Sequence, residues 1–239
     1  MLTESIYLTD SYAKEMDAKV MVVEKESDQK YKVILDKTVF YPIGGGQPTD
    51  QGYLAYGGNK AEIYLVIIKD GEIWHHIKTD NPPVVGDVVH GTIDWERRYK
   101  NMRLHSGGHV IDFAMYLLGY SPKTLQPLKG DHGKKPYIAY QGTIEQDIRQ
   151  RLEDKSNELV TNELKFSCEF KTLDEVRKSA IYVQPGLPTN KSLRMLKLEG
   201  VGAVADGGTQ VANTKEVGRI QITSVEKKGD QTIVSYLLG

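Results

Sequence analysis

Cysteine is nearly missing from this 239-residue chain: Cys168 stands alone, so no internal disulfide, cysteine-built zinc finger or CxxC redox pair can form. A reducing, cytoplasmic home is the expectation that follows. The opening Met1-Leu2-Thr3-Glu4-Ser5-Ile6-Tyr7 lacks the basic and apolar regions of a signal peptide. No apolar run approaches the roughly 18 residues of a membrane span, so the chain reads as a soluble protein with no membrane partner. Charge of one sign is also lacking. Lys+Arg 31 against Asp+Glu 32 leaves a net charge of -1, which advertises no acidic or nucleic-acid partner for the chain as a whole and still permits a local basic groove. Two enzyme signatures are absent as well. No Gly-Lys-Ser/Thr follows the glycines at 44, 45 and 46, which excludes a Walker phosphate loop, and Ser106 after His105 excludes the HExxH metalloprotease pattern.

What is present divides into two textures. Residues 19–24, 31–35, 53–56, 61–68, 72–77 and 90–93 are β-rich runs separated by turn formers such as Gly57-Gly58-Asn59 and Asp70-Gly71, a spacing that predicts a small antiparallel barrel. From Asp94, a plausible N-cap, the periodicity changes to that of a helix running to about Leu118 and closed by Gly119. The expected domains are therefore 1–93 and 94–239. In the second, 121–135 is rich in Pro, Gly and Lys and reads as a connecting loop. Ile144, Ile148, Leu152, Leu159, Val160 and Leu164 trace the face of another helix. Thr172 and Glu175 form a capping box for a short third helix. A hairpin over 219–237 closes the chain, and Cys168 reads as core.

The chemistry concentrates in Arg103-Leu104-His105-Ser106-Gly107-Gly108-His109. Helical spacing puts His105 and His109 on one face about a turn apart, which is half of a tetrahedral metal site or a pair of surface histidines. Gly107 and Gly108 each cost a helix interior about 1 kcal/mol relative to alanine, a sign that a ligand or another backbone comes close. A second stretch, Asp206-Gly207-Gly208-Thr209-Gln210, repeats the four-residue interval and is either part of a site or a Gly-Gly turn. The run Gly44-Gly45-Gly46-Gln47 is a functional loop or a structural corner. Arg97, Arg98, Lys100 and Arg103 crowd the first half of the long helix, as a phosphate contact or a solvated face. His132 either approaches the metal or is solvated in its loop, whereas the adjacent His75 and His76 point to opposite faces of a strand and read as structural.

Three segments in order, 40–52, 103–109 and 207–218, resemble the AlaX proteins and the editing region of alanyl-tRNA synthetase, and the resemblance covers nearly the whole chain. It implies the free-standing, medium-length form of an α+β protein: an N-terminal β-barrel with a Gly-Gly-Gln loop, then an α+β editing domain of the threonyl/alanyl-tRNA synthetase type. The implied activity is hydrolysis of the ester of tRNA(Ala) wrongly charged with serine or glycine, which differ from alanine by one small group that a synthetic pocket discriminates poorly. The implied cofactor is zinc, held in the family by HxxxH and CxxxH pairs. His105 and His109 match the first pair; Asp206 stands at the cysteine and Gln210 at the last histidine. Two histidines and a carboxylate can still make a catalytic zinc site. Gly45, Gly46, Gln47, Ser106, Gly207, Gly208 and Thr209 are the expected contacts to the serine hydroxyl or the tRNA acceptor end. No residue is singled out as the catalytic group. The competing expectations are a tRNA-binding protein of the same fold that has lost catalysis, and a metal-dependent hydrolase of another small aminoacyl ester.

Overall fold

The computed structural model describes residues 3–239; Met1 and Leu2, from the opening read for a targeting segment, lie outside the described residues. The chain forms two compact units, Met1–Lys100 and Asn101–Gly239.

The first unit holds β1 (Glu4–Ser5), a single helical turn α1 (Ile6–Thr9), β2 (Glu15–Ser27), β3 (Lys30–Leu35), β4 (Lys37–Thr38), β5 (Gly52–Tyr56), β6 (Asn59–Lys69), β7 (Glu72–Lys78) and β8 (Val88–Ile93). Six of these close an antiparallel barrel in the order β2-β3-β7-β6-β5-β8. Alternation drives the closure: β5 buries Gly52, Leu54 and Tyr56 and exposes Tyr53 and Ala55. Val20, Val33, Leu35, Phe40, Leu54, Ile63, Val66 and Ile77 fill the interior.

The glycine run proves to be a corner with a purpose. Gly45 (φ 54°) and Gly46 (φ 77°) form a two-residue turn closed by paired backbone bonds between Gly44 and Gln47, a conformation that L side chains resist. The chain then returns inward and buries Asp50 completely. Asp50 accepts from the Tyr41 amide at 2.6 Å and from Arg98 Nε at 2.9 and 3.0 Å, with Arg98 Nη2 as a further donor. Arg98 is 0% exposed and also donates through Nη1 to the Ser11 carbonyl and through Nη2 to the Val39 carbonyl. Arg97 donates to the Thr49 carbonyl at 2.9 Å. Two members of the basic cluster therefore bind the barrel's own backbone and Asp50, so neither a phosphate contact nor a purely solvated face describes them.

His75 and His76 do point to opposite faces. His75 is fully buried against Thr38 Oγ1 at 2.8 Å, and His76 pairs with Glu26 at 2.8 Å. Burial, opposed by the Val33 carbonyl, holds the His75 imidazole down at about 4. Because its folded value lies below the ordinary 6.5, the unfolded chain binds the extra proton between those two values. Its contribution, about 3 kcal/mol, is complete above pH 6.5 and is lost as pH falls toward 4. Urea unfolding at pH 7 and pH 4.5 should show a smaller pH dependence for His75→Gln; an unchanged dependence would overturn this account.

The division between the units falls within α2 (Trp95–Leu117), whose first turn is capped by Asp94 Oδ1 accepting from the Arg97 amide at 3.0 Å. The second unit continues with β9 (Gln126–Asp131), β10 (Tyr137–Gln141), α3 (Arg149–Thr161), β11 (Phe166–Lys171), α4 (Leu173–Ser179), β12 (Leu193–Leu198), β13 (Gly202–Ala205), a 3-10 turn (Thr214–Val217), β14 (Ile220–Lys228) and β15 (Gln231–Leu238). One sheet runs β14-β15-β10-β9 and the other β11-β12-β13. With the barrel before it, this makes an α+β chain. The capping box forms as expected, Glu175 N meeting Thr172 Oγ1 and Thr172 N meeting Glu175 Oε2.

Three expectations are corrected. The stretch read as a loop carries β9, because an edge strand leaves one side unpaired and so accommodates Pro127. The helix traced from Ile144 begins only at Arg149 and ends at Thr161, leaving Ile144, Ile148 and Leu164 outside it. Cys168 is exposed: β11 is an edge strand on which Ser167 to Phe170 all remain exposed.

Candidate metal centre

Within the second unit, α2 presents His105 and His109 one turn apart with their rings stacked at 5.0 Å. The loop leaving β13 delivers Asp206, whose amide donates to the Arg194 carbonyl of β12 at 3.0 Å. Asp206 Oδ1 lies 3.3 Å from His105 Nε2 and 3.4 Å from His109 Nε2. These three side chains can offer donor atoms that all lie within 4.8 Å of one another.

The other carboxylate oxygen is tied down. Asp206 Oδ2 accepts from Gln210 Nε2 at 2.8 Å and from the Gly208 amide at 3.1 Å, and Arg194 Nη1 lies 3.4 Å away. Arg194 also donates to the Gly208 carbonyl at 2.8 Å. Gln210 is in turn oriented by Ser106, whose hydroxyl donates to Gln210 Oε1 at 2.6 Å and accepts from the Val211 amide at 3.0 Å. The Gln210 amide is thus turned to Asp206 and Ser106, behind the carboxylate, rather than toward the histidine pair. The Ser106 hydroxyl is engaged on both sides in bracing the same loop.

The glycines explain how these parts fit. A Cβ at Gly208 would sit 1.9 Å from His105 Cε1, so the loop can cross the imidazole only as bare backbone. A Cβ at Gly108 would meet His132 Cε1 at 2.4 Å, and one at Gly107 would meet Leu238 at 3.1 Å. The close neighbours implied by the helix glycines are therefore an imidazole and a side chain of β15. His132 is not solvated. It is buried, its ring stacks on His105 at 4.5 Å, and its Nδ1 lies 2.7 Å from the Tyr236 hydroxyl, which donates to the Leu104 carbonyl. Because that hydroxyl proton is already given away, His132 Nδ1 is the donor.

Burial and mutual attraction set the charges. Burial alone would raise Asp206, but the facing His105 and His109 hold its carboxyl well below the usual carboxylate range. Burial pushes His105 down despite Asp206; at His109 burial is outweighed by Asp206 and Asp112, and the imidazole titrates higher than usual. Burial and then His105 lower His132 well below the ordinary value.

Two observations test the fit to a divalent ion. Among the described residues both ring nitrogens of His109 are buried with no hydrogen-bond partner, the carboxylates of Asp206 and Asp112 facing them at 3.4 and 3.9 Å, an arrangement that costs free energy unless something engages their lone pair or hydrogen. Donors about 2.0–2.1 Å from a tetrahedral ion lie roughly 3.3 Å apart, which matches the two carboxylate-to-imidazole separations. Two imidazoles and one carboxylate with a position to spare suit a borderline ion such as zinc.

The remaining expected contacts are distributed as follows. Thr209 is fully buried in the Asp206 loop, and Gly207 borders open space, since a Cβ there meets nothing within 4 Å. Gly45, Gly46 and Gln47 belong to the first unit, the glycines exposed at the tip of their turn and Gln47 buried. Arg103, the basic residue nearest the histidines in sequence, donates to the carbonyls of Glu216, Val217 and Gly239. Sequence reasoning left His132 open between the metal and solvent and missed Arg194, Asp112, Tyr140 and Tyr236. Of these only Asp112, three residues beyond His109 on the same helix, left a readable signal.

Residues 4–97 match the family model described as tRNA synthetases class II (A). Over 239 residues the chain is 34% identical to "Alanyl-tRNA editing protein AlaX-M" of Saccharolobus solfataricus, covering 95% of both chains. It is 35% identical over 236 residues to "Alanyl-tRNA editing protein AlaX-L" of Pyrococcus horikoshii and 32% identical over 235 residues to "Alanine--tRNA ligase" of Halobacterium salinarum. Each of those alignments takes in 95% of this chain but only 55% and 25% of the respective relative. The chain belongs to the AlaX family of alanyl-tRNA editing proteins.

Proposed function

We propose that this chain edits alanyl-tRNA by hydrolysing the ester that joins serine or glycine to the 3′ end of wrongly charged tRNA(Ala), with zinc as cofactor at His105, His109 and Asp206. The observation that carries the reading is the meeting of these three donors from two remote stretches around an imidazole with two unpartnered nitrogens. Relatives that are named as alanyl-tRNA editing proteins support the substrate class.

In this reading His105, His109 and Asp206 would hold the ion, the two imidazoles turning Nε2 and the carboxylate Oδ1 to the centre. When bound, the ion supplies Lewis-acid polarisation and a lowered pKa for the attacking water. The protein's own residues do the orienting. Gln210, the Gly208 amide and Arg194 hold Asp206 Oδ2, so that Oδ1 alone faces the histidines. Gly207 borders open space next to Asp206, which in this reading takes the aminoacyl group. A cytoplasmic location agrees with this substrate.

Single-turnover deacylation of Ser-tRNA(Ala), Gly-tRNA(Ala) and Ala-tRNA(Ala) tests the proposal on chelator-stripped and zinc-restored protein. Zinc-dependent loss of the seryl and glycyl esters, with the alanyl ester spared, is the expected result. Equal rates with and without zinc would remove the metal from the reaction. Salt-sensitive tRNA binding with no hydrolysis in either sample would make the chain a tRNA-binding relative.

A further inference from the structure

We infer that Asp112, held by Tyr140, is the positioning residue that fixes which nitrogen His109 turns to the centre; the inference rests on the metal reading above. His109 lies between two carboxylates. Its Nε2 is 3.4 Å from Asp206 Oδ1, and its Nδ1, on the opposite side of the ring, is 3.9 Å from Asp112 Oδ2. The two oxygens of Asp112 have separate tasks. Oδ1 accepts the hydroxyl of Tyr140, a fully buried residue of β10, which leaves Oδ2 for the imidazole.

The separation of 3.9 Å is longer than a hydrogen bond, and Nδ1 has no other partner among the described residues. A small rotation of the ring toward Asp112 converts this orphan into an Nδ1–H donor, and the same tautomer leaves the Nε2 lone pair for an ion. An imidazole that ligates through one nitrogen ordinarily gives the other N–H to such an acceptor. His105 has a different neighbour, the His132 ring, so the two ligands are oriented by different devices. Helical geometry explains the pairing: Asp112 lies three residues after His109 on α2, one turn along the same face. β10 lies between β15 and β9, so Tyr140 is anchored on both sides.

The test measures zinc affinity by competition with a chromophoric chelator in the full chain and in Asp112→Asn, Asp112→Glu and Tyr140→Phe. Asp112→Asn is expected to bind zinc about 10- to 100-fold more weakly, Asp112→Glu to recover part of the loss, and Tyr140→Phe, which retains the packing, to lose less than Asp112→Asn. Imidazole 15N spectra of the zinc-loaded protein should show His109 with zinc on Nε2 and hydrogen on Nδ1; a structural role alone would not set this pattern. Zinc affinity unchanged in Asp112→Asn, or His109 ligating through Nδ1, would overturn the inference and leave the metal site standing. Failure of the unaltered chain to bind zinc would overturn the metal reading and this inference with it.

Discussion

Replacing His105 or Asp206 with alanine is expected to lower Ser-tRNA(Ala) hydrolysis by more than about 100-fold. Loss of an outer hydrogen-bond partner of a metal ligand already costs ten- to a hundredfold, and loss of a ligand costs more. The two variants should fail for separable reasons. His105→Ala removes one donor and also the ring on which His132 stacks and over which Gly208 passes. Asp206→Ala removes the carboxylate that faces both imidazoles and takes one acceptor each from Gln210 and Arg194, the latter keeping the Gly208 carbonyl. Zinc content by atomic absorption, together with the single-turnover rate, checks both. Near-normal rates in either variant would move the reaction away from this centre. Gln210→Leu tests the bracing role separately: zinc binding should weaken without disappearing, because the amide faces the carboxylate and not the histidines.

The second large effect concerns the barrel. Asp50→Leu or Arg98→Leu alone should destabilise the first unit by about 3–5 kcal/mol, because each leaves an unpaired charge in a site of 0% exposure. Replacing both with leucine should cost far less than the sum of the single changes, since no uncompensated charge remains. Urea unfolding of the two single variants and the double variant gives the comparison. A single change costing under about 1 kcal/mol would show that water or a neighbouring group compensates the pair. The prediction also accounts for the glycine-rich run. The Gly45-Gly46 turn reverses the chain so that Asp50 can accept from Tyr41 and Arg98, and the same motif leaves an exposed tip.

Local patterns are legible in this chain wherever neighbouring residues decide the outcome. The alternation of β5, the N-cap at Asp94, the capping box at Thr172 and the closing hairpin all depend on contacts a few residues apart, and all form where the residues indicate. The segment carrying β9 fails that test for a specific reason. Pro127 and Gly130 look like loop residues, and only the edge position beside β10 makes them acceptable in a strand. The choice left open for His132 has the same origin, since a histidine just past an unseen strand gives no local sign that it will stack on His105.

For the proposed centre, sequence by itself determined the one-turn spacing of His105 and His109, a carboxylate at Asp206 where the resembled family carries a cysteine, and the glycines that admit close approach. Those are properties of residue type and helical period. Tertiary structure decided the rest: Asp206 Oδ1 facing both imidazoles, Gln210 turned behind the carboxylate by Ser106, Arg98 withdrawn into the barrel wall, and Asp112 set opposite Asp206 across His109. Each of these depends on which remote hydrogen-bond partner a buried polar group finds. The requirement that it find one is general, but its identity depends on how strands and loops pack.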